Sequence, residues 1–418
     1  MIGMKHLFQN LLLLTLTVCL LAGCSGNAGT DATAASPAAA SSTSETASAA
    51  PAAASQGETS QPEASAAAPL TWKEMQPTGS MPLRYAECFT VDYYDGGLAL
   101  ICMGDDRFLM VPEGAAAPEG LDADIQLVPG PAHRIYAASS AVMDLFYQCG
   151  GLEAVKMTGT DVKGWDIPYI RELVESDEIH YAGKYSAPDF EYLLSSGCDL
   201  VIENTMIYHT PEVKEKLEKL GMPVIVERSS GENHPLGRME WIKLYGLLSG
   251  HYEDAVSYYD TKVDELLSEL TGEQTGKTVA FFYINTSGMA VIRKSTDYIP
   301  KMIQMAGGRY IFSDEKGEEN ALSTTNMQME AFYNSAVDAD IIIYNSTIDG
   351  EIHTTEELLN KSSLLADFKA VKEGNVWCTG QNMFQQTSCF SDMIRDMHRV
   401  ISGQADGLDT LTYLHRVK

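Results

Sequence analysis

The chain has 418 residues, with 29 Lys and Arg against 57 Asp and Glu, giving a formal net charge of −28 at pH 7. An acidic balance of that size is repelled by nucleic-acid backbones and anionic lipid surfaces, and argues against both as partners. The composition is otherwise that of an ordinary soluble protein, 45% hydrophobic and 9% aromatic, and residues 70–418 exceed the usual size of one hydrophobic core, so two lobes are expected.

At the start, Lys5 precedes an apolar run over 11–21 that closes on Leu21-Ala22-Gly23-Cys24. A basic start, a short apolar stretch and small residues before a cysteine resemble the bacterial lipobox. The run is too short to span a bilayer comfortably. Residues 1–23 are therefore expected to be a lipoprotein signal peptide, with Cys24 the lipidated first residue, carrying palmitate-type acyl chains. The protein would then sit on the extracytoplasmic face of a bacterial cell membrane, held through its lipid anchor only. Residues 25–69 carry no aromatic residue and no Lys or Arg, so 24–69 reads as a lipidated cysteine and a disordered Ala/Ser/Thr/Pro linker that cannot bury a core.

Residues 70–131 hold short apolar runs, Phe89-Thr90-Val91, Leu98-Ala99-Leu100-Ile101 and Phe108-Leu109-Met110-Val111, separated by Asp-Gly and Gly-Asp turns. This is a hairpin pattern. From Ile135 the grammar becomes βαβ, with Leu200-Val201-Ile202 and Val224-Ile225-Val226 alternating with amphipathic segments. Residues 238–270 run long without Pro, their apolar residues at helical spacing. A helix of about thirty residues would reach roughly 45 Å, enough to pass from one lobe to another. After Gly276 the alternation resumes, with Ile341-Ile342-Ile343 and Val376-Trp377 as strands. The halves echo each other: Glu191 precedes Asp199 and a strand, Glu330 precedes Asp340 and a strand, and Gly150-Gly151 and Gly307-Gly308 each follow a helix-like run.

The expected fold class is α/β, with two Rossmann-like lobes bearing parallel sheets, joined by one long α-helix and preceded by a short β-hairpin region. The boundaries are 70–131 for the hairpins, 132–237 for the N-terminal lobe, 238–272 for the linking helix and 273–418 for the C-terminal lobe. Cys88, Cys102, Cys149, Cys198, Cys378 and Cys389 show no zinc or redox spacing. Cys378 with Cys389, or Cys88 with Cys102, are near enough in sequence for disulfides that export would permit, but a body this large can be stable without staples, so none is expected.

From residue 132 onward the chain resembles the substrate-binding lipoproteins of ABC importers for iron–siderophore, haem and cobalamin, in which one helix links two α/β lobes. The resemblance is carried by Arg134-Ile135-Tyr136-Ala137-Ala138-Ser139-Ser140, by the stretch 188–202, by LEKLGMPVIV over 217–226, by HPLGRMEWIKLYGLLSG over 234–250 and by YIPKMIQMAGGRYIF over 298–312. The hairpin region departs from the usual start of that family. The resemblance implies a monomer that captures a metal chelate, with a ferric siderophore expected first and haem or a corrinoid as alternatives, and delivers it to an ABC permease with separate ATPase subunits. It also implies that Glu191 and Glu330, one per lobe, project from the surface and pair with permease arginines. No cofactor is expected, and no metal bound directly by the protein, since the metal would sit within the chelate.

Ligands of open α/β sheets bind at the carboxyl ends of the strands. Those loops carry Ser139 and Ser140, and Arg228, Arg238, Arg293 and Lys294, whose cations suit carboxylates or the anionic oxygens of a chelate. Tyr208 and His209 could ligate an iron or cobalt centre. Trp165, Tyr298, Met383 and Phe384 would offer flat apolar surface for a ring system. Every one of these has a plainer reading as core or surface residue. The chain has no Gly-x-Ser-x-Gly, P-loop, His-Glu-x-x-His or Cys-x-x-Cys motif, so no catalysis is expected, although a secreted hydrolase or a sensor lipoprotein on the same scaffold is the alternative of a different class.

Overall fold

Alternating side chains divide the first sheet between two cores. The computed structural model describes residues 71–270, 272, 274–313 and 323–418. The expected signal peptide, Cys24 and linker lie outside them. Strands β1 (Gly79–Ser80), β2 (Thr90–Tyr94), β3 (Leu98–Met103), β4 (Asp106–Pro112) and β5 (Ile125–Gly130) lie in that order across one sheet. The first four pair antiparallel, as the turn residues require, but β5 returns parallel to β4. The region is therefore more than a pair of hairpins. Phe89, Val91, Ala99, Ile101, Met103 and Phe108 face the main core, whereas Leu98, Leu100, Leu109 and Ile125 close over Trp72 in a small core of their own.

In the N-terminal lobe β6 (Ile135–Ala137), α1 (Ala141–Gln148), β7 (Val155–Thr158), α2 (Pro168–Glu175) and β8 (His180–Tyr181) precede a small hairpin, β9 (Gly183–Lys184) and β10 (Ala187–Pro188). There follow α3 (Phe190–Ser195), β11 (Leu200–Glu203), α4 (Pro211–Lys219) and β12 (Val224–Val226). The sheet runs β12-β11-β6-β7-β8, all parallel. Its central strands are buried on both faces, which is why they read as continuous apolar runs.

The expected single helix over 238–272 is instead three: α5 (Pro235–Glu240), α6 (Ile242–Ser249) and α7 (Tyr252–Glu269). Gly250, at φ 82°, terminates α6 in the left-handed conformation that favours glycine. The chain then turns so that α6 and α7 pack against each other. Gly246 permits that approach, since a Cβ there would stand 2.5 Å from that of Ala255. The link to the C-terminal lobe is thus α7 alone, 18 residues and about 27 Å long.

The C-terminal lobe comprises β13 (Thr278–Ile284), β14 (Ala290–Arg293), α8 (Tyr298–Met305), β15 (Arg309–Tyr310), β16 (Thr324–Met327), α9 (Met329–Ala336) and β17 (Ile341–Tyr344). It ends with α10 (Thr355–Lys361), α11 (Lys369–Lys372), β18 (Val376–Thr379), α12 (Phe390–Ser402) and β19 (Leu414–Arg416). Here the parallel strands β15, β13, β17 and β18 are flanked by antiparallel β14, β16 and β19, so the sheet is mixed.

The echo between the halves has a structural counterpart. Asp199, just before β11, accepts the N–H groups of His133 and Arg134 (2.8 and 3.0 Å), at the entrance to β6. Asp340, just before β17, accepts the N–H and hydroxyl of Thr278 (2.7 and 2.9 Å), at the start of β13. Each aspartate ties the same two strands of its lobe together.

The first sheet is fastened to the linking helices by two buried carboxylates. Glu240 accepts the N–H groups of Arg84, Tyr85 and Ala86 (2.8–3.0 Å) and the Lys243 ammonium at 2.8 Å. Glu232 accepts those of Glu87 and Cys88 (both 2.9 Å) and the Trp241 indole at 2.9 Å. Replacing Glu240 with Ala strands three backbone donors and a buried ammonium. Glu240→Ala should therefore cost about 3–5 kcal/mol in urea unfolding, and a loss under 1 kcal/mol would refute the fastening role.

Candidate binding site

Arg238, near the end of α5, stands where the lobes meet. It is buried, and its guanidinium lies over two rings of the C-terminal lobe, Tyr298 at 4.2 Å and Phe390 at 5.3 Å, which themselves stack at 5.2 Å. Burial pushes the carboxyls of Glu227, after β12, and Asp297, the N-cap of α8, above their usual range, and the Arg238 charge opposes that shift in both. Asp297 also faces Arg293, 3.4 Å away, whose guanidinium lies 5.2 Å from the Phe384 ring. Two cations and two carboxylates thus alternate along the junction.

Among the described residues, two polar links cross it. Asp144 on α1 is buried and accepts from the Ser388 N–H (3.1 Å) and hydroxyl, with Tyr169 donating from its own lobe at 2.8 Å. Gln385 accepts from the Asp166 N–H at 2.9 Å and donates to Gly164 O at 2.8 Å. Around these, Ser229 Oγ, Arg238 Nε, Tyr298 OH, Thr387 Oγ1 and Ser391 Oγ are buried without a partner at hydrogen-bond geometry. Native proteins seldom leave such groups unsatisfied outside functional sites.

The other expected residues are distributed unevenly. Arg228 donates to Tyr208 OH at 2.7 Å and Asp106 at 2.9 Å, which ties the rim of the N-terminal lobe to the β3–β4 turn. His209 is exposed on the short helix Thr205–His209, while Ser139 is buried, Ser140 precedes α1, and Lys294 is half-buried. Trp165 and Met383 are fully enclosed, and the Trp165 indole donates to Thr160 O at 3.1 Å. The flat surface expected of these two is therefore not presented, nor is that of Tyr298, which is 2% exposed and covered by the Arg238 guanidinium. A pocket of about 440 Å³ lined by Pro300, Lys301, Gln304, Arg309 and Tyr310 includes none of the expected residues. Glu191 and Glu330 occupy the same place in their lobes, second residue of α3 and of α9, and both are exposed.

Asp144, Glu203, Glu227 and Ser388 escaped the sequence reading. The signal of the three acids was a carboxylate set in an otherwise apolar run, Ala-Val-Met-Asp-Leu-Phe, Leu-Val-Ile-Glu and Val-Ile-Val-Glu, whereas Ser388 in Gln-Thr-Ser-Cys carried none.

Residues 135–383 match the family model described as periplasmic binding protein. The chain belongs to that family. Two curated relatives are uncharacterized lipoproteins of Methanocaldococcus jannaschii. One is 26% identical over 86% of this chain and 92% of its own length, the other 25% identical over 77% and 82%. Among solved structures, the periplasmic heme binding protein HutB of Vibrio cholerae is similar at TM-score 0.52 and 17% identity, covering 65% of this chain and 98% of its own. A periplasmic heme binding protein from Pseudomonas aeruginosa aligns at TM-score 0.52 and 15% identity, covering 68% and 98%. These likenesses establish the two-lobed fold. Members of the family bind solutes and do not transform them, so the chain is an extracytoplasmic binding protein and not an enzyme. The matched region begins at β6, after the first sheet, which is the part that departs from the family.

Glu203, at the end of β11, is fully buried, and no side chain meets either of its oxygens, the Asn204 N–H only partly offsetting the loss of water. Desolvation raises its carboxyl to about 8. The folded state then holds a proton that the unfolded state releases near 4.5, so stability falls as pH rises between those values. Glu203→Gln should flatten that fall, with a gain of about 3–5 kcal/mol over the parent at pH 9 and little change at pH 4. Urea unfolding across the range measures it, and parallel curves for the two proteins would contradict the assignment.

Proposed function

We propose that this chain is the lipid-anchored capture component of an ABC importer, acylated at Cys24, and that it takes an iron chelate, a ferric siderophore, between its lobes. The observation that carries the reading is the Arg238–Arg293 junction. There, two guanidinium groups, the partly exposed Phe384 ring, the buried rings of Tyr298 and Phe390 under Arg238, and the buried hydroxyls of Thr387 and Ser391 converge. Cations and an aromatic edge suit a chelate bearing catecholate or carboxylate oxygens, because guanidinium gives planar, charge-assisted bonds to such anions while the partly exposed Phe384 ring can lie against an apolar face. The protein contributes affinity and orientation, and transport energy comes from ATP hydrolysis by separate subunits.

Haem is the second reading, favoured by Tyr208 and His209, both exposed after β11 where either could reach an iron centre. A corrinoid would occupy the same junction. The visible spectrum of material copurified with the full-length chain separates the three, since siderophore, haem and corrinoid absorb differently.

A ferric siderophore added to the purified chain should quench tryptophan fluorescence saturably, and Arg293→Ala should weaken that binding by about 1–3 kcal/mol, the cost of one charged hydrogen bond. Saturable quenching with unchanged affinity in the variant would remove Arg293 from the contact set. Failure of every ferric chelate, with haem bound tightly, would replace the ligand.

Glu191 and Glu330 are proposed as the permease contacts, one on each lobe. Charge pairs at a docking rim govern encounter and register more than cargo affinity. The double change Glu191→Ala and Glu330→Ala should leave chelate affinity at its parent value and lower uptake by cells at least tenfold. Normal uptake would exclude the pair from docking.

A further inference from the structure

The nine histidines are scattered in sequence, yet the fold brings two of them together on the C-terminal lobe. His353 lies in the loop after β17 and His415 on β19. Their rings stack with centroids 4.6 Å apart, and Glu351 completes a group whose ligand atoms lie within 4.8 Å of one another. Glu351 Oε2 is 3.8 Å from His353 Nε2 and 3.9 Å from His415 Nδ1.

Each of two members has its other polar atom already engaged. Glu351 Oε1 accepts the N–H of Gln381 at 3.0 Å, which leaves Oε2 for the group. His415 Nε2 lies 3.0 Å from Ile352 O, and because a carbonyl can only accept, Nε2 carries the proton and Nδ1 keeps its lone pair. A backbone carbonyl holding the remote ring nitrogen is the usual outer support of a metal-bound imidazole. His415 and Glu351 are mostly covered, 15% and 29% exposed at the side chain, whereas His353 is 64% exposed and provides the open side.

We propose that Glu351, His353 and His415 form a resident site for one divalent cation of the zinc class, distinct from any metal carried inside a chelate between the lobes. Ligands on a tetrahedral ion with bonds of about 2.0–2.1 Å stand roughly 3.3 Å apart. The 3.8 and 3.9 Å separations from Glu351 therefore need a contraction near half an ångström, and the two imidazole nitrogens, within 4.8 Å of each other on stacked rings, need the exposed His353 ring to turn out of the stack so that both lone pairs meet the ion. Two imidazoles and one carboxylate suit zinc, and suit calcium or magnesium poorly, since those ions take oxygen ligands. Water would fill the fourth position.

Occupancy would staple the end of the chain to a loop at the junction. The His353 carbonyl accepts the N–H of Lys418 at 3.0 Å. Glu351 holds Gln381, the first residue of the short helix Gln381–Phe384 that carries Phe384. The ion would thus fix one wall of the chelate site without touching the cargo.

The test uses the full-length, untagged chain, stripped with EDTA and free of any chelate. It is titrated with zinc chloride against a chromophoric indicator, and separately with cobalt(II) chloride. One zinc ion per chain is expected, together with the intense visible absorption of tetrahedral cobalt. His353→Ala and Glu351→Gln should each weaken zinc at least tenfold and abolish the cobalt band, while leaving the metal-free melting curve unchanged, because His353 is mostly exposed and the Glu351→Gln change keeps an oxygen for the Gln381 N–H. Absence of saturable zinc binding in the parent, or binding that both variants retain at parental affinity, would overturn the proposal.

Discussion

Two buried carboxylates, Glu232 and Glu240, hold the architecture together. Five consecutive backbone N–H groups, from Arg84 to Cys88, point at them, and the Trp241 indole and Lys243 ammonium complete their shells. A charge removed from water is tolerated only when every lone pair is met, so neither acid could sit where it does without the segment that folds over it. The segment itself is irregular, with bends at Arg84, Tyr85 and Cys88 and no strand pairing, so its backbone donors depend on these two acids. Since both acids lie on or beside α5, whatever fixes this clamp also fixes Arg238, two residues before Glu240.

That coupling gives the first sheet a role. Asp106, the first residue of β4, pairs with Arg228 at the rim of the N-terminal lobe, and the sheet's inner face shares the main core with both lobes. The sheet lies outside the family match, yet it braces the helix from which the junction's central cation projects. An added module that grips a shared element can alter the rigidity of a binding site without contributing a contact to the ligand.

The strands of both lobes were legible because parallel sheets bury both faces and write themselves as apolar runs such as Leu200-Val201-Ile202 and Ile341-Ile342-Ile343. Asp199 and Asp340 were visible as an echo, and the structure gives them one shared duty. The linking segment misled because its apolar spacing continues through Gly250, and only the backbone reveals that this glycine turns left-handed and folds α6 onto α7. Trp165 and Met383 misled because an aromatic or a methionine on a loop reads alike whether it faces solvent or core. The Glu351, His353 and His415 group could not be seen at all, for His353 and His415 become neighbours only when β19 returns beside β18.

The break at Gly250 changes what the linker can do. A straight rod would separate the lobes and leave a hinge at each end. Here α6 stays with the N-terminal lobe, packed on α1, while α7 runs beside it and onward to α12. One continuous apolar cluster extends from Phe89 and Val91 through Trp241 and Tyr245 to Phe281 and Ile342. Wide opening would pull that cluster apart, and every 100 Å² so exposed costs about 2.5 kcal/mol, whereas the few polar contacts at Ser388 and Gln385 can be exchanged for hydrogen bonds to water. The softest motion is therefore one that parts Asp144 from Ser388 and Gln385 from Gly164 and leaves the apolar floor intact, a small gape on the ligand side of Arg238.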